Sequence, residues 1–183
     1  YQSVQDVLSE LMMKEALDEY VISLNGAIIT ENHQNRLLAL TTIEMDVIDK
    51  LFAYGISKHV DMHIYTQDNV FVLNLDQEDR EYLNKRIDYQ PINEEQLSAV
   101  KNHKIAKIIF HYNSEAERLA IVEDIKPITD GKIAVSFSSN RYIELNHLDV
   151  NKGKGLAKLA DFLNIPLSQT IAIGDNFNDL SMI

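Results

Sequence analysis

The fold class is decided by the stretch Ile171-Ala172-Ile173-Gly174-Asp175-Asn176-Phe177-Asn178-Asp179, in which an apolar run ends in a group of polar side chains. The run from Thr170 to Ile173 is short and partly β-branched, which predicts a buried strand. In open α/β sheets, ligands bind at the carboxyl ends of the strands. Gly174 lets the backbone approach a ligand closely, and Asp175 offers a hard oxygen ligand of the kind that Mg²⁺ prefers. The stretch therefore predicts a ligand site at the end of a strand.

The polar residues after Gly174 have two interpretations. In the first, Asn178 donates to a phosphate oxygen while it opens the next helix, whose N-terminus attracts anions. In the second, the segment is an ordinary polar loop in which Asn178 or Asp179 caps a helix. A single G-D-x-x-N-D pattern does not choose between them.

A second candidate site is the stretch Val150-Asn151-Lys152-Gly153-Lys154-Gly155, which precedes an amphipathic helix ending near Leu163. Asn151 is a typical N-cap residue, and a helix N-terminus beside a lysine attracts anions. Lys152 suits phosphate because its ammonium group is a point charge that needs no planar fork. The alternative is a pair of solvated lysines at a helix start that glycines make flexible. A β–α–β-like arrangement would bring Lys152 and Asp175 to the same crevice.

Along the rest of the chain, strands alternate with helices, which indicates an α/β protein. Residues 1–33 and 148–183 are predicted to form one sheet-and-helix layer, and residues 34–147 an inserted module with more strand pairs and turns. In the layer we predict a helix over 1–12 and strands at 20–24 and 27–30. In the module we predict helices at 43–52, 76–87, 93–101 and 114–125, and strands at 59–65, 69–74, 104–111, 132–138 and 141–146.

The composition narrows the classes of function. Of the 183 residues, 45% are hydrophobic, which is typical of a globular chain. The net charge of −11 argues against nucleic acid and anionic membranes as partners, because a protein that binds phosphate backbones needs the opposite balance. The lack of cysteine excludes disulfides, thiolate catalysis and cysteine-ligated zinc. These features predict a cytoplasmic protein.

Three residues of the inserted module, His59, Asp61 and His63, alternate along a predicted strand and therefore share one of its sides. They are either metal ligands or part of a solvent-facing or substrate-facing surface, and no spacing fixes a further ligand. His111 has no partner at a recognisable spacing. The run Glu78-Asp79-Arg80-Glu81 is interpreted as a solvated helix face.

Four pieces of the chain follow the order and spacing of a known set of motifs. They are Tyr1 to Met12, Tyr20 to Ile29 with its N-G-A turn, Ile143 to Gly153, and residues 174–182, which read G-D-x-x-N-D-x-x-M. In these pieces the sequence resembles the haloacid dehalogenase superfamily, in its Cof-type branch with an α/β cap of the C2 type. The resemblance covers nearly the whole chain. It implies a Rossmann-like core, formed by 1–33 and 148–183, with an α/β cap domain inserted as 34–147.

The resemblance also implies roles for single residues. Lys152 would hold the transferring phosphoryl group, Asp175 would bind Mg²⁺, and Asn178 would contact phosphate. Asp179 would orient Lys152 or the waters of the metal. Members of the family hydrolyse small phosphomonoesters, often sugar phosphates or related metabolites, through an aspartyl-phosphate intermediate. The expected partner is therefore a small phosphorylated metabolite, and the cap would act as a mobile lid.

The sequence departs from the family in one respect, since it contains neither the D-x-D-G motif with the nucleophile nor the T-G-R motif. We expect both to lie upstream of Tyr1, and we expect the chain alone to be inactive. We also expect the strands at 20–24 and 170–173 not to pair directly, because family members place further strands between them.

Two alternatives to a phosphatase stay open at this point. One is a non-catalytic α/β ligand-binding or interaction module, in which the aspartates and lysines of the two loops only cap helices. The other is a phosphomutase of the same superfamily. The sequence determines neither the substrate nor the oligomeric state.

Overall fold

The computed structural model of the chain describes residues 18–84, 86–175 and 179–183. The chain divides into two compact units. The first unit comprises Tyr1–Thr41 and Asp149–Ile183, and the second comprises Thr42–Leu148. The helix predicted over residues 1–12 lies outside the described residues. The prediction of an α/β protein is confirmed, because helices and strands alternate along the chain.

The sheet of the first unit consists of β1 (Tyr20–Ser23), β2 (Ile28–Glu31) and β3 (Leu37–Leu40), in that order and antiparallel. β1 and β2 confirm the predicted strand and return strand. The sequence analysis does not predict β3, which pairs with β2. Its leucine-rich run has neither strict alternation nor β-branched residues, so pairing with β2 rather than propensity makes it a strand.

The second unit contains the strands β4 (Asp61–Thr66), β5 (Val70–Leu73), β6 (Gln90–Ile92), β7 (Ile105–His111), β8 (Ile133–Ser138) and β9 (Tyr142–His147). They form one sheet in the order β6-β5-β4-β7-β9-β8, antiparallel except for the parallel β5-β6 pair. The sequence analysis predicts all of them except β6. That strand contains Pro91, and its position at the sheet edge fits a residue that has no N–H to donate.

The helices of the second unit are α1 (Met45–Ser57), α2 (Gln77–Leu83), α3 (Glu94–Val100) and α4 (Glu115–Thr129). All four confirm predicted helices. α4 runs past its predicted end at residue 125 because Ile125 and Thr129 bury its last turn. No helix in the described ranges combines the length and the apolar character needed to cross a membrane.

The hydrophobic core of the second unit lies between α1, α3 and α4 and one face of the sheet. Met62, Ile64 and Phe110 are fully buried there, and Met62 pairs with Phe110 across neighbouring strands. Asp61 and His63 alternate with Met62 and Ile64 along β4, so they lie on the opposite face. They are buried as well. The second face of the sheet therefore carries polar groups that are screened from solvent.

Helix α5 (Lys152–Phe162) belongs to the first unit and begins against the turn between β1 and β2. Asn25 and Gly26 of that turn have positive φ angles of 62° and 101°. A Cβ atom on Gly26 would lie 2.5 Å from the carbonyl oxygen of Asn151, and one on Gly155 would lie 2.8 Å from Cα of Gly26. The start of α5 therefore depends on two glycines that let backbone touch backbone.

The strand predicted at 170–173 is not formed, which corrects the sequence analysis. A short 3₁₀ turn at Leu167–Gln169 precedes this segment, and Ile171 and Ile173 are 90% and 89% exposed. Within the described residues, β1 pairs only with β2. A strand needs a hydrogen-bonded neighbour, and no described strand lies beside residues 170–173. In the part of the chain that the structure describes, this segment and β1 are not hydrogen-bonded neighbours.

Candidate active site

The candidate site in the first unit is centred on a contact between Lys152 and Asp179. Lys152 is the first residue of α5, and the side chain of Asn151 caps that helix by accepting the Lys154 N–H at 2.7 Å. Lys152 Nζ donates to Asp179 Oδ1 at 2.5 Å. The Asp179 side chain is 7% exposed and that of Lys152 is 32% exposed. The helix start thus holds a partly accessible cation against a buried carboxylate.

A glycine allows the loop around Asp179 to pack on the helix start. The N–H of Gly153 donates to Ser181 Oγ at 2.9 Å. A Cβ atom on Gly153 would lie 1.7 Å from the Ser181 carbonyl oxygen. The N–H of Met182 donates to the Asp179 carbonyl oxygen at 2.8 Å, which closes a turn on this segment. Any larger residue at 153 would separate the two segments that carry the site.

Asp179 also contacts the loop that precedes it. The N–H of Asp175 lies 3.3 Å from Asp179 Oδ2, and a Cβ atom on Gly174 would lie 2.3 Å from Asp179 Cβ. The two oxygens of one carboxylate therefore accept from Lys152 and from the backbone of Asp175. Charge-assisted hydrogen bonds of this kind are the stronger ones and give the carboxylate a defined orientation. These contacts make Asp179 more than a helix N-cap.

The sequence analysis predicts four site residues, and the structure brings three of them together. Lys152, Asp175 and Asp179 meet at the start of α5, whereas Asn178 lies outside the described residues. Asp175 is exposed, and its carboxylate has no hydrogen-bond or ion-pair partner within the described part of the chain. A carboxylate in that state fits a hard cation such as Mg²⁺, which takes oxygen ligands.

A second group of polar residues lies on the buried polar face of the sheet in the second unit. His63 Nε2 is 2.7 Å from Asp79 Oδ2, and the Tyr142 hydroxyl donates to Asp79 Oδ1 at 2.5 Å. Asp79 is fully buried, so the solvated helix face predicted for residues 78–81 is wrong at this position. Asp79 and Leu83 are the buried residues of α2, and this four-residue spacing is the signal that identifies the inward side.

The surroundings of His63 and His111 stabilise the protonated, positively charged form of each imidazole. Burial acts to lower the pKa of His63, but the carboxylates of Asp61 and Asp79 outweigh it and raise that pKa above its usual value. The pKa of His111 is raised in the same way by Asp61, Asp79 and Asp76, against burial. Burial acts to raise the pKa of Asp61, but the two imidazoles hold it below its usual value. Sequence reasoning missed Asp76, Asp79 and His111 as members of this group.

Comparison with known proteins places these features in a family. Haloacid dehalogenase-like hydrolases match the chain over residues 1–183. The protein named "Putative phosphatase YxeH" of Bacillus subtilis is 28% identical over 181 residues, which are 98% of this chain and 66% of that protein. The chain thus spans slightly less than two thirds of the length of this relative.

Two solved structures share the fold. A haloacid dehalogenase-like hydrolase from B. subtilis matches with a TM-score of 0.80 and 21% identity, over 100% of this chain and 70% of that one. The subclass IIB sugar phosphatase BT4131 matches with a TM-score of 0.76 and 15% identity, over 97% and 64% of the two chains. These likenesses confirm the predicted α/β fold class. Because the family match extends over every residue, the chain belongs to the haloacid dehalogenase-like hydrolases.

Proposed function

We propose that the chain carries part of the active site of a Mg²⁺-dependent phosphatase that hydrolyses small phosphomonoesters, such as sugar phosphates or related metabolites. The observation that carries the proposal is the Lys152–Asp179 contact beside the exposed carboxylate of Asp175. The names of the Bacillus relative and of the sugar phosphatase support the same class of reaction.

Lys152 is proposed to hold the phosphoryl group. An ammonium group has three N–H donors, so Lys152 can keep its hydrogen bond to Asp179 and still donate to phosphoryl oxygens. Its position at the N-terminus of α5 adds the favourable helix dipole for an anion. Asp179 would keep Nζ in place while the negative charge on the phosphoryl oxygens develops. In this way the site is preorganised for phosphoryl transfer.

Asp175 is proposed to bind Mg²⁺, and Asn178 is proposed to contact the phosphate. When bound, the metal would supply charge neutralisation for the phosphoryl oxygens. In the chain itself, the hydrogen bond between the Asp175 N–H and Asp179 would fix the direction from which the Asp175 carboxylate approaches. One side chain, Asp179, would thereby position both the lysine and the metal ligand.

The nucleophile is proposed to be an aspartate from outside residues 1–183, because the sequence contains no D-x-D-G motif. Its carboxylate oxygen would attack phosphorus while the ester P–O bond breaks, and the departing alcohol would take a proton from a second carboxyl group. Water would then attack the aspartyl-phosphate and release inorganic phosphate. We assign to the second unit the role of the cap domain, which excludes water and supplies substrate specificity.

The experiment that tests the proposal measures phosphate release by the full-length protein. We expect hydrolysis of p-nitrophenyl phosphate that requires Mg²⁺ and stops when EDTA is added. A panel of sugar phosphates should contain at least one better substrate. The proposal is wrong if the full-length protein releases no phosphate from any phosphoester with Mg²⁺, or if EDTA leaves its activity unchanged.

A further inference from the structure

The buried polar group of the second unit forms a cluster around Asp61. We call the residues Asp61, His63, Asp76, Asp79 and His111 the Asp61 cluster. Asp61 and His63 lie on β4, His111 lies opposite Asp61 on β7, and the other two lie at the start of α2. Three segments far apart in the sequence thus bring three carboxylates and two imidazoles together.

Three members of the cluster have the geometry of a metal-binding set. His111 Nδ1 lies 3.0 Å from Asp76 Oδ2 and 3.6 Å from Asp61 Oδ2. Asp61, Asp76 and His111 each offer a ligand atom within 4.8 Å of the others. Nitrogen and oxygen ligands about 2.0–2.2 Å from a zinc ion lie roughly 3.3 Å apart around a tetrahedron. The two distances from His111 Nδ1, 3.0 and 3.6 Å, are close to this spacing.

One oxygen of the Asp61 carboxylate, Oδ1, lacks a hydrogen bond among the described residues, whereas Oδ2 accepts from the Asp76 N–H at 3.1 Å. Asp61 as a whole is 6% exposed. The nearest charged group is His63 Nε2 at 3.4 Å, but that nitrogen lies closer to Asp79 Oδ2, at 2.7 Å. A buried carboxylate oxygen normally accepts a hydrogen bond or binds a cation. Here the tight His63–Asp79 contact takes the donor that Asp61 would need.

The charge of the proposed ligands and the cavity that leads to them both suit a cation. Of the three proposed ligands, two are carboxylates and one is an imidazole, while Arg141 Nη1 lies 3.9 Å from the third carboxylate of the cluster, Asp79. Asp61, Asp76 and His111 also line a cavity of about 1150 Å³, which gives an ion a path to the cluster. Mixed imidazole and carboxylate ligands favour first-row transition metals over Ca²⁺, which takes oxygen ligands alone.

We propose that the second unit binds one divalent first-row transition-metal ion, of the Zn²⁺ or Mn²⁺ class, through Asp61, Asp76 and His111. His63, whose Nε2 lies 3.4 Å from Asp61 Oδ1, supports the site from the buried side. Three protein ligands leave a further coordination position for water or a small anion from the cavity. This site is independent of the Mg²⁺ site proposed at Asp175.

The test uses the full-length protein with Asp175→Asn, so that the Mg²⁺ site proposed at Asp175 is weakened. Titration calorimetry with ZnCl₂ and with MnCl₂ should show one site. Asp61→Asn, which keeps the shape of the side chain, should abolish that site, whereas Asp68→Asn in the exposed β4–β5 turn should leave the affinity unchanged. His63→Gln should weaken binding about 10–100-fold, which is typical when a group that supports a ligand is lost.

Wild-type protein provides the deciding measurement if a buried substitution prevents folding. Crystals soaked in ZnCl₂ should show anomalous scattering between Asp61, Asp76 and His111. The proposal is overturned if neither ion binds the Asp175→Asn protein, if Asp61→Asn folds and binds with unchanged affinity, or if no anomalous signal lies between Asp61, Asp76 and His111.

Discussion

The two units of the chain differ in how completely they bury their apolar residues. In the second unit, twenty buried residues form one hydrophobic cluster, and the fully buried Met62, Ile64 and Phe110 belong to it. In the first unit, Ile171 and Ile173 are almost fully exposed beside the candidate site. The closed hydrophobic core therefore lies in the second unit, whereas the proposed catalytic residues lie in the first. Substitutions in the two units should therefore separate stability from activity.

The largest effect on stability is expected from Phe110→Ala in the second unit. Removing a fully buried aromatic ring from a packed core costs about 3–5 kcal/mol of unfolding free energy. Denaturant unfolding followed by circular dichroism measures this loss. Phe137→Ala is the matched control, since Phe137 is 48% exposed on β8 of the same unit. Equal losses of unfolding free energy in the two variants would contradict our placement of Phe110 in the core.

The largest effect on activity is expected from Lys152→Ala in the first unit. Losing one preorganised charge contact to the transition state lowers kcat about 10²–10³-fold. Steady-state kinetics of the full-length protein measures it, with unfolding curves to show that the variant is folded under the assay conditions. Lys154→Ala is the control, because Lys154 is 52% exposed and its ammonium binds Asp149. Near-wild-type turnover without Lys152 would remove this residue from the proposed site.

An intermediate effect is expected from Tyr142→Phe. The variant leaves Asp79 Oδ1 without its hydroxyl donor in a buried environment. An unsatisfied buried group of this kind costs about 1–3 kcal/mol of unfolding free energy. Tyr89→Phe removes an exposed hydrogen bond, to Asn84, and should change stability much less. A smaller loss for Tyr142→Phe than for Tyr89→Phe would contradict the network around Asp79.

The smallest effect is expected from Ile171→Ala measured on the 183-residue chain. An exposed side chain without packing partners contributes within about 0.5 kcal/mol. In the full-length protein the same substitution should cost about 2–5 kcal/mol, if further strands of the proposed core bury this residue. Denaturant unfolding measures the change, with each Ile171→Ala variant compared to the wild-type protein of the same length. Equal small changes in both would contradict our expectation that residues 170–173 become a core strand.

Sequence reasoning predicted the second unit well because its signals are local. Alternation marks β4, and side chains with strong capping propensity begin α3 and α4. It failed for residues 170–173, where an apolar β-branched run predicts a strand but neighbours decide whether one forms. It also failed for β3 and β6, whose weak propensities are overcome by pairing with β2 and β5.

The candidate site shows the same division between local and long-range information. Motif spacing predicted Lys152 and Asp175 at one crevice, and in the structure Gly153 and Gly174 allow their two segments to approach residues 179–182 closely. The Asp61 cluster could not be predicted in full, since His111 and Asp79 meet Asp61 only through the register of β4 with β7 and the packing of α2.

The glycine contact between the β1–β2 turn and α5 bears on how the protein tolerates mutation. Gly26 and Gly155 meet through main-chain atoms, which have no rotamers with which to accommodate an added methyl group. One extra carbon at either glycine would therefore displace the start of α5, and with it the Lys152 ammonium. In a library of random variants, these two positions should accept almost no replacement, although neither side chain takes part in the chemistry.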